Sequence, residues 1–470
     1  MKTPSSGGGT PAASGTAPGH YYAAAWRWHF YAGLYVAPFL IMLAITGLSM
    51  MYIACFDGRD GEHIAVTPSG PVLTIAEQSA SALGAIPDGR LVEWIGPSGD
   101  DRASVFRVAS GDAQSMVAVD PYSGAVLNVW SRRDGWYDFL TDIHGSLLLG
   151  DTGDRLIEIA AGLGFVLIVT GLYLWWPRTG VGAGRALLPD LSARGRLLWK
   201  SLHRSIGFYA ALILCLFLLT GLSWTGIWGG KFVQAWSTFP AEKWNNVPLS
   251  DATHASMNHG ATKDVPWALE QTPMPASGSD AGLRGLPDGM PVMVDSIAAF
   301  GRALGYEGRF RVLYPSSDTG VWTLSQDSMS NDSSDPTSDR TVHVDRYTGK
   351  MLADVRFADY SLAGKGMAVG IAFHEGDMGL WNLVLNTLFC LSVIFLSVSG
   401  LVMWWMRRPA GAGRLVAPPV PANLPHWKGA MAVMLGVSMA FPLAGLTLLA
   451  VLAFDTLILR HIRPFARALS

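Results

Sequence analysis

The chain has 470 residues, half of them hydrophobic and only 15% charged, with a net charge of −2. Soluble domains carry about a quarter charged residues, so this composition excludes an ordinary soluble protein, and the near-neutral balance offers nothing to nucleic acid. Cys55, Cys215 and Cys390 lie in or beside apolar runs without C-x-x-C spacing, which excludes thiolate zinc and iron–sulfur centres.

Residues 1–25 are rich in Gly, Ser, Ala, Thr and Pro and lack an apolar core. They read as a disordered cytoplasmic tail rather than a signal peptide. About 20 apolar residues cross a bilayer as a helix, and five stretches meet that length: 26–55, the latter part of 144–177, 201–228, the latter part of 371–406, and 429–459. Phe441-Pro442 predicts a kink in the fifth. Segments 56–143 and 229–370 alternate β-like runs, such as Ser104–Val108 and Val321–Leu324, with Gly/Pro/Asp turns, so each predicts a small α+β domain. Ser325–Arg340 is rich in Ser and Asp and reads as a loop.

Loop charges give the orientation. The connection 178–200 holds Arg178, Arg185, Arg194, Arg196 and Lys200 against Asp190; 407–428 holds Arg407, Arg408, Arg414 and Lys428 with no acid. Both read as cytoplasmic, leaving 56–143 and 229–370 outside. The basic tail 460–470 then falls outside too, against the rule. Trp26, Trp28, Trp175, Trp176, Trp404 and Trp405 read as an aromatic belt at the cytoplasmic interface.

The sequence repeats itself. His29-x3-Gly33-x-Tyr35 and Thr46-Gly47-Leu48-Ser49 recur, offset by 174, as His203-x3-Gly207-x-Tyr209 and Thr220-Gly221-Leu222-Ser223. Gly171-Leu172-x2-Trp175-Trp176-x-Arg178 recurs as Gly400-Leu401-x2-Trp404-Trp405-x-Arg407, preceded by His144 and His374. Val119-Asp120-x-Tyr122-Ser123-Gly124 echoes Val344-Asp345-x-Tyr347-Thr348-Gly349. The predicted fold is a membrane α-helical bundle with α+β extracytoplasmic domains. It is a tandem parallel repeat of helix, domain and helix, plus a fifth C-terminal helix.

The repeat pairs the histidines. His29 and His203 begin odd-numbered helices on one side; His144 and His374 precede even-numbered helices on the other. Two neutral imidazoles from facing helices can grip one haem iron from opposite sides, and ionisable groups at membrane depth are costly enough to suggest function. Zinc or copper is the chemical alternative. Gly33, Gly207, Ala32 and Ala37 leave room for a flat macrocycle, or for plain helix packing. Arg27 and Arg204, beside the ligands, are candidates for the haem propionates. The sequence identifies no partner for the second ring nitrogens. His254, Met257 and His259 form a further candidate set for copper or iron, set against the plainer reading of a polar loop. There is no nicotinamide or flavin domain, so the electron donor is separate.

These motifs, with Ile143-His144-Gly145 and Phe373-His374-Glu375-Gly376, resemble the PepSY-associated transmembrane family over roughly residues 20–410. The resemblance implies a bacterial inner-membrane protein with a cytoplasmic N-terminus. It also implies two bis-histidine b-type haems on His29, His203, His144 and His374, like those of ferric-siderophore reductases. Electrons would pass from a quinol or a cytoplasmic reductase to a periplasmic ferric siderophore or other ferric chelate. Helix five departs from the four-helix core of such reductases. Two other functions fit the same motifs: a non-enzymatic PepSY protein that binds or regulates a periplasmic partner, and a copper- or iron-handling membrane protein.

Overall fold

The computed structural model describes residues 20–177, 183–244, 246–258, 265–409 and 435–454. Four helices are long and apolar enough to cross a membrane: α1 (His20–Phe56), α4 (Asp151–Trp175), α6 (Arg196–Leu222) and α9 (Leu380–Arg407). Between them lie α2 (Ile75–Gly84), β1 (Arg90–Ile95), β2 (Ser104–Ser110), β3 (Ala113–Val119), β4 (Val126–Ser131), α3 (Trp136–Ser146) and α5 (Ala183–Leu187). The second half adds β5 (Leu249–Thr253), β6 (Pro273–Pro275), α7 (Val294–Ala303), β7 (Arg311–Leu313), β8 (Val321–Gln326), β9 (Arg340–Asp345), β10 (Met351–Arg356), α8 (Leu362–Glu375) and α10 (Pro442–Phe454).

The long helices form a ring in which α1 packs on α4 and α9, and α6 packs on the same two. Helices α1 and α6 therefore face each other diagonally. The fifth apolar segment is helical over 435–440 and again from Pro442, with a break at Phe441. This is where proline, which lacks an N–H, was expected to interrupt it. Helix α10 packs against α4 and α1, and at Gly162 a Cβ would come within 2.7 Å of Ala444. The outer parts of that segment, and the tail 1–19, lie outside the described residues. Acidic Glu158 is buried in α4, where its carboxylate accepts from the backbone N–H groups of Ile227 and Trp228 at 3.2 Å each. These backbone donors, just beyond the end of α6, satisfy the buried carboxyl group.

The extramembrane segments do not fold as two detached domains. Each supplies a helix and four strands, and the two join edge to edge in one antiparallel sheet of order β10-β9-β8-β7-β1-β2-β3-β4. The seam pairs Trp94 with Val312 and Ile95 with Arg311. Helices α2 and α7 cover one face, with Ala82 and Ile297 packed over Trp94, Phe106, Val108, Phe310, Val312 and Leu324. The two Val-Asp-x-Tyr motifs make matching turns. Asp120 accepts from the Tyr122 N–H at 2.9 Å and Asp345 from the Tyr347 N–H at 2.8 Å. Gly124 and Gly349 close them at φ +71° and +67°, a left-handed conformation that costs glycine little.

The other sheet face carries charge. Arg311 Nε lies 2.9 Å from Asp332, Arg309 Nε 3.1 Å from the same carboxylate, and Arg107 3.0 Å from Glu93. Asp60, on the loop after α1, reaches Arg311 at 3.2 Å. The Ser325–Arg340 stretch, expected as an open loop, thus places Asp327, Asp332 and Asp339 in the interior. Asp332 serves the buried arginines, while Asp327 and Asp339 accept from the backbone N–H groups of Ser330 and Ser328.

Candidate metal centres

Short helices deliver two of the four histidines. His144 lies near the end of α3, which stops at Leu147 and Leu148, both left-handed (φ 54° and 59°). His374 lies near the end of α8, which stops at Gly376 (φ 87°). His29 and His203 stand in the third turns of α1 and α6, at the end of the bundle away from the sheet.

The four meet in the expected twos. The ring centres of His29 and His203 are 6.3 Å apart and those of His144 and His374 are 6.4 Å apart. Two metal–imidazole bonds of about 2.0–2.1 Å, plus about 1.1 Å from each nitrogen to its ring centre, also give a separation of about 6.3 Å. A residue on α6 links the levels: Thr220, which bonds His374, is 17 positions beyond His203. At 1.5 Å rise per residue the two centres are about 25 Å apart along the bundle.

The partners that the sequence left unnamed are helix hydroxyls. Nδ1 of His29 meets Thr170 Oγ1 at 3.0 Å, that of His203 meets Ser399 Oγ at 2.7 Å, that of His144 meets Thr46 Oγ1 at 2.8 Å and that of His374 meets Thr220 Oγ1 at 2.7 Å. Each hydroxyl donates its own hydrogen to a carbonyl one turn back: Val166, Leu396, Met42 or Leu216. A hydroxyl has one hydrogen, so the histidine Nδ1–H must donate to it. This fixes the tautomer and leaves Nε2 with its lone pair for a metal. A glycine follows each hydroxyl. A Cβ at Gly171 would lie 3.2 Å from His29 Cε1, at Gly47 3.5 Å from His144, at Gly400 3.8 Å from His203 and at Gly221 3.9 Å from His374.

A cavity of about 480 Å³ surrounds His29 and His203. Gly33, Gly207 and Ala37 line it as expected, with Gly171 and Gly400; Ala32 is buried but not in the wall. Arg204 lines it too, joined by Arg196, Lys200 and Arg407. Nε of Arg196 and of Arg204 is buried without a hydrogen-bond partner among the described residues. Arg27 instead lies over the Tyr31 ring, 5.1 Å from its centre. One tryptophan of each pair, Trp175 and Trp404, also lines the cavity, while Trp176 and Trp405 point outward. An apolar slot flanked by glycines, with two opposed imidazoles inside and buried guanidinium nitrogens at its rim, fits a haem and its propionates.

The third candidate set behaves differently. His254 is fully buried and its Nε2 lies 2.9 Å from Nε2 of His343, a residue for which the sequence named no partner. His254 Nδ1 donates to the Thr272 carbonyl at 2.7 Å, so its Nε2 accepts from His343. The Thr323 hydroxyl, at 2.9 Å, then donates to His343 Nδ1. All four ring nitrogens are engaged, leaving none for a metal. Met257 Sδ lies 3.9 Å from the Thr323 hydroxyl, and His259 is outside the described residues.

Burial pushes His254 down to about 4, and burial with repulsion from His254 holds His343 well below its ordinary range. Unfolded imidazoles titrate near 6.5. Between about pH 4 and 6.5 the unfolded chain therefore binds more protons. Stability from this pair is fully present above pH 6.5 and is lost as pH falls towards 4. The melting temperature should drop over that window, and His254→Leu/His343→Leu should flatten the slope. An equal slope in the double variant would contradict this assignment.

The PepSY-associated TM region matches residues 26–407, spanning both histidine pairs and the whole sheet. No curated protein matches the chain. With most of its length covered by that match, the chain belongs to the PepSY-associated transmembrane family.

Proposed function

We propose that the protein is a transmembrane reductase. It holds two b-type haems between His29 and His203 and between His144 and His374, and moves single electrons across a bacterial inner membrane. The observation that carries this reading is the fourfold hydroxyl contact. It commits every Nδ1 and leaves two Nε2 lone pairs at each level, with ring centres at the separation a shared metal requires.

Held by two histidines at each level, haem would supply a one-electron Fe(III)/Fe(II) couple. The histidines would then serve transport of electrons, not capture of substrate. Arg196 and Arg204 would neutralise propionates at one end. The packed apolar cluster of Leu40, Ala44, Ala210, Leu214, Phe217, Phe389 and Val393 excludes water between the levels. The excess of Arg and Lys in the short loops supports an orientation with the arginine-rich end in the cytoplasm. A quinol or a cytoplasmic reductase would give up one electron at a time there. On the opposite side a ferric siderophore or other ferric chelate would accept one per iron. Fe(II) binds hard oxygen donors less tightly, and the metal is released.

Protein purified from haem-replete cells should show a sharp Soret band and a b-type α band on reduction. Proteoliposomes enclosing an impermeant reductant should generate Fe(II) from a ferric chelate outside. A colourless protein would sink the haem assignment. A fully loaded protein that leaves the chelate oxidised would sink the reductase assignment alone.

A further inference from the structure

One small device sets all four ring orientations. A hydroxyl of Thr46, Thr170, Thr220 or Ser399 fixes Nδ1, and the glycine after it lies against Cε1. Two contacts along one edge locate an imidazole and restrict its plane. The rings of His29 and His203 cross at 88°, those of His144 and His374 at 83°. The hydroxyls come from α4 and α9 for one pair and from α1 and α6 for the other, so separate contacts reach the same crossing. His374 has a third restraint, the Phe217 ring stacked 4.4 Å from its centre. Leu43 stands at the matching position of the first half.

The crossing has an electronic consequence. An imidazole ligand interacts chiefly with the metal d orbital perpendicular to its own plane. Parallel rings act on one orbital of a near-degenerate pair and split it; crossed rings act on both and leave them close in energy. Ferric low-spin iron in the crossed arrangement has a strongly anisotropic magnetic signature. Resting on the haem assignment above, we propose that Thr46, Thr170, Thr220 and Ser399 are positioning residues that hold the ligand rings of both sites crossed. Their role is then not merely to support the helices, since a helix needs no hydroxyl at these places.

Electron paramagnetic resonance of the full-length, haem-loaded ferric protein tests this. The wild type should show only strongly anisotropic low-spin signals. Ser399→Ala frees His203 to rotate and should shift one of the two signals towards the parallel-ring type with the Soret intensity retained. Ser399→Thr, which restores the hydroxyl in the form used at the other three places, should restore the signal. Parallel-ring signals in the wild type overturn the inference, however the variants behave. So does a Ser399→Ala protein that keeps its haem and an unchanged signal. If Ser399→Ala sheds its haem, Thr170→Ala reads the same site from the opposite ligand under the same criteria. A colourless wild type instead overturns the haem assignment, and this inference with it.

Discussion

His203→Ala should remove one haem of two, and with it roughly half of the Soret absorbance, while leaving the sheet-side centre intact. The imidazole of His203 would contribute one of two metal bonds at its level, and alanine offers no atom in its place. Gly207, Ala210, Ala211 and Leu396, which line the same cavity, carry no ligand atom. His374→Ala should remove the other half, and the double variant should be colourless. Thr170→Val is the graded companion. It keeps His29 but deletes the oxygen that accepts its Nδ1–H at 3.0 Å, and loss of such an outer partner weakens metal binding by about 10–100-fold. Haem quantified per protein by pyridine haemochrome decides the matter. If His203→Ala and His374→Ala each lose all of the haem, or none, the two-centre arrangement fails. Arg27→Ala provides the contrast. Its guanidinium packs on Tyr31 outside the cavity wall, so haem content should stay at the wild-type level.

Much of this site was legible because membrane helices leave strong marks. Apolar length located α1, α4, α6 and α9, and the duplicated motifs alone put His29 with His203 and His144 with His374. The hydroxyl partners were harder to see. Thr46-Gly47 and Thr220-Gly221 stood in the repeat, but Thr and Gly are also common packing residues in such helices. Only the approach of α3 to α1 and of α8 to α6 shows what they touch. Thr170 and Ser399 differ in identity, so the repeat does not mark them. Consecutive residues on a helix also point about 100° apart. This is why Trp175 and Trp404 enter the cavity while their neighbours, which read the same in sequence, face outward. The union of the two sheet units through β1 and β7 left no trace either, because edge pairing runs through backbone groups that every residue possesses. His254 and His343 are 89 residues apart, and no local spacing connects them.

Asp332→Ala should unfold the sheet domain far more readily than its position in a Ser/Asp-rich loop suggests. The carboxylate is fully buried and faces Arg309 and Arg311, themselves 4% and 2% exposed. Its removal leaves two guanidinium groups in a low-dielectric interior with fewer acceptors. Arg311 keeps Asp60 at 3.2 Å and Glu93 at 3.7 Å; Arg309 keeps the Arg59 carbonyl at 3.0 Å. Breaking a buried pair from one side costs about 3–5 kcal/mol, because the remaining charge is poorly compensated. An exposed pair is different. Asp318, fully exposed 3.8 Å from Arg346, should be replaceable by alanine with no measurable change. The cost at Asp332 is a cost of stranded charge rather than of lost attraction. Converting one pair together, as Asp332→Leu with Arg309→Met, leaves Arg311 with Asp60 and Glu93 and should therefore recover much of the stability lost in Asp332→Ala. Thermal melting in detergent, with limited proteolysis of the sheet as a second readout, separates these cases. Equal melting temperatures for Asp332→Ala and Asp318→Ala would show that solvent reaches the array and that the sheet face is not sealed.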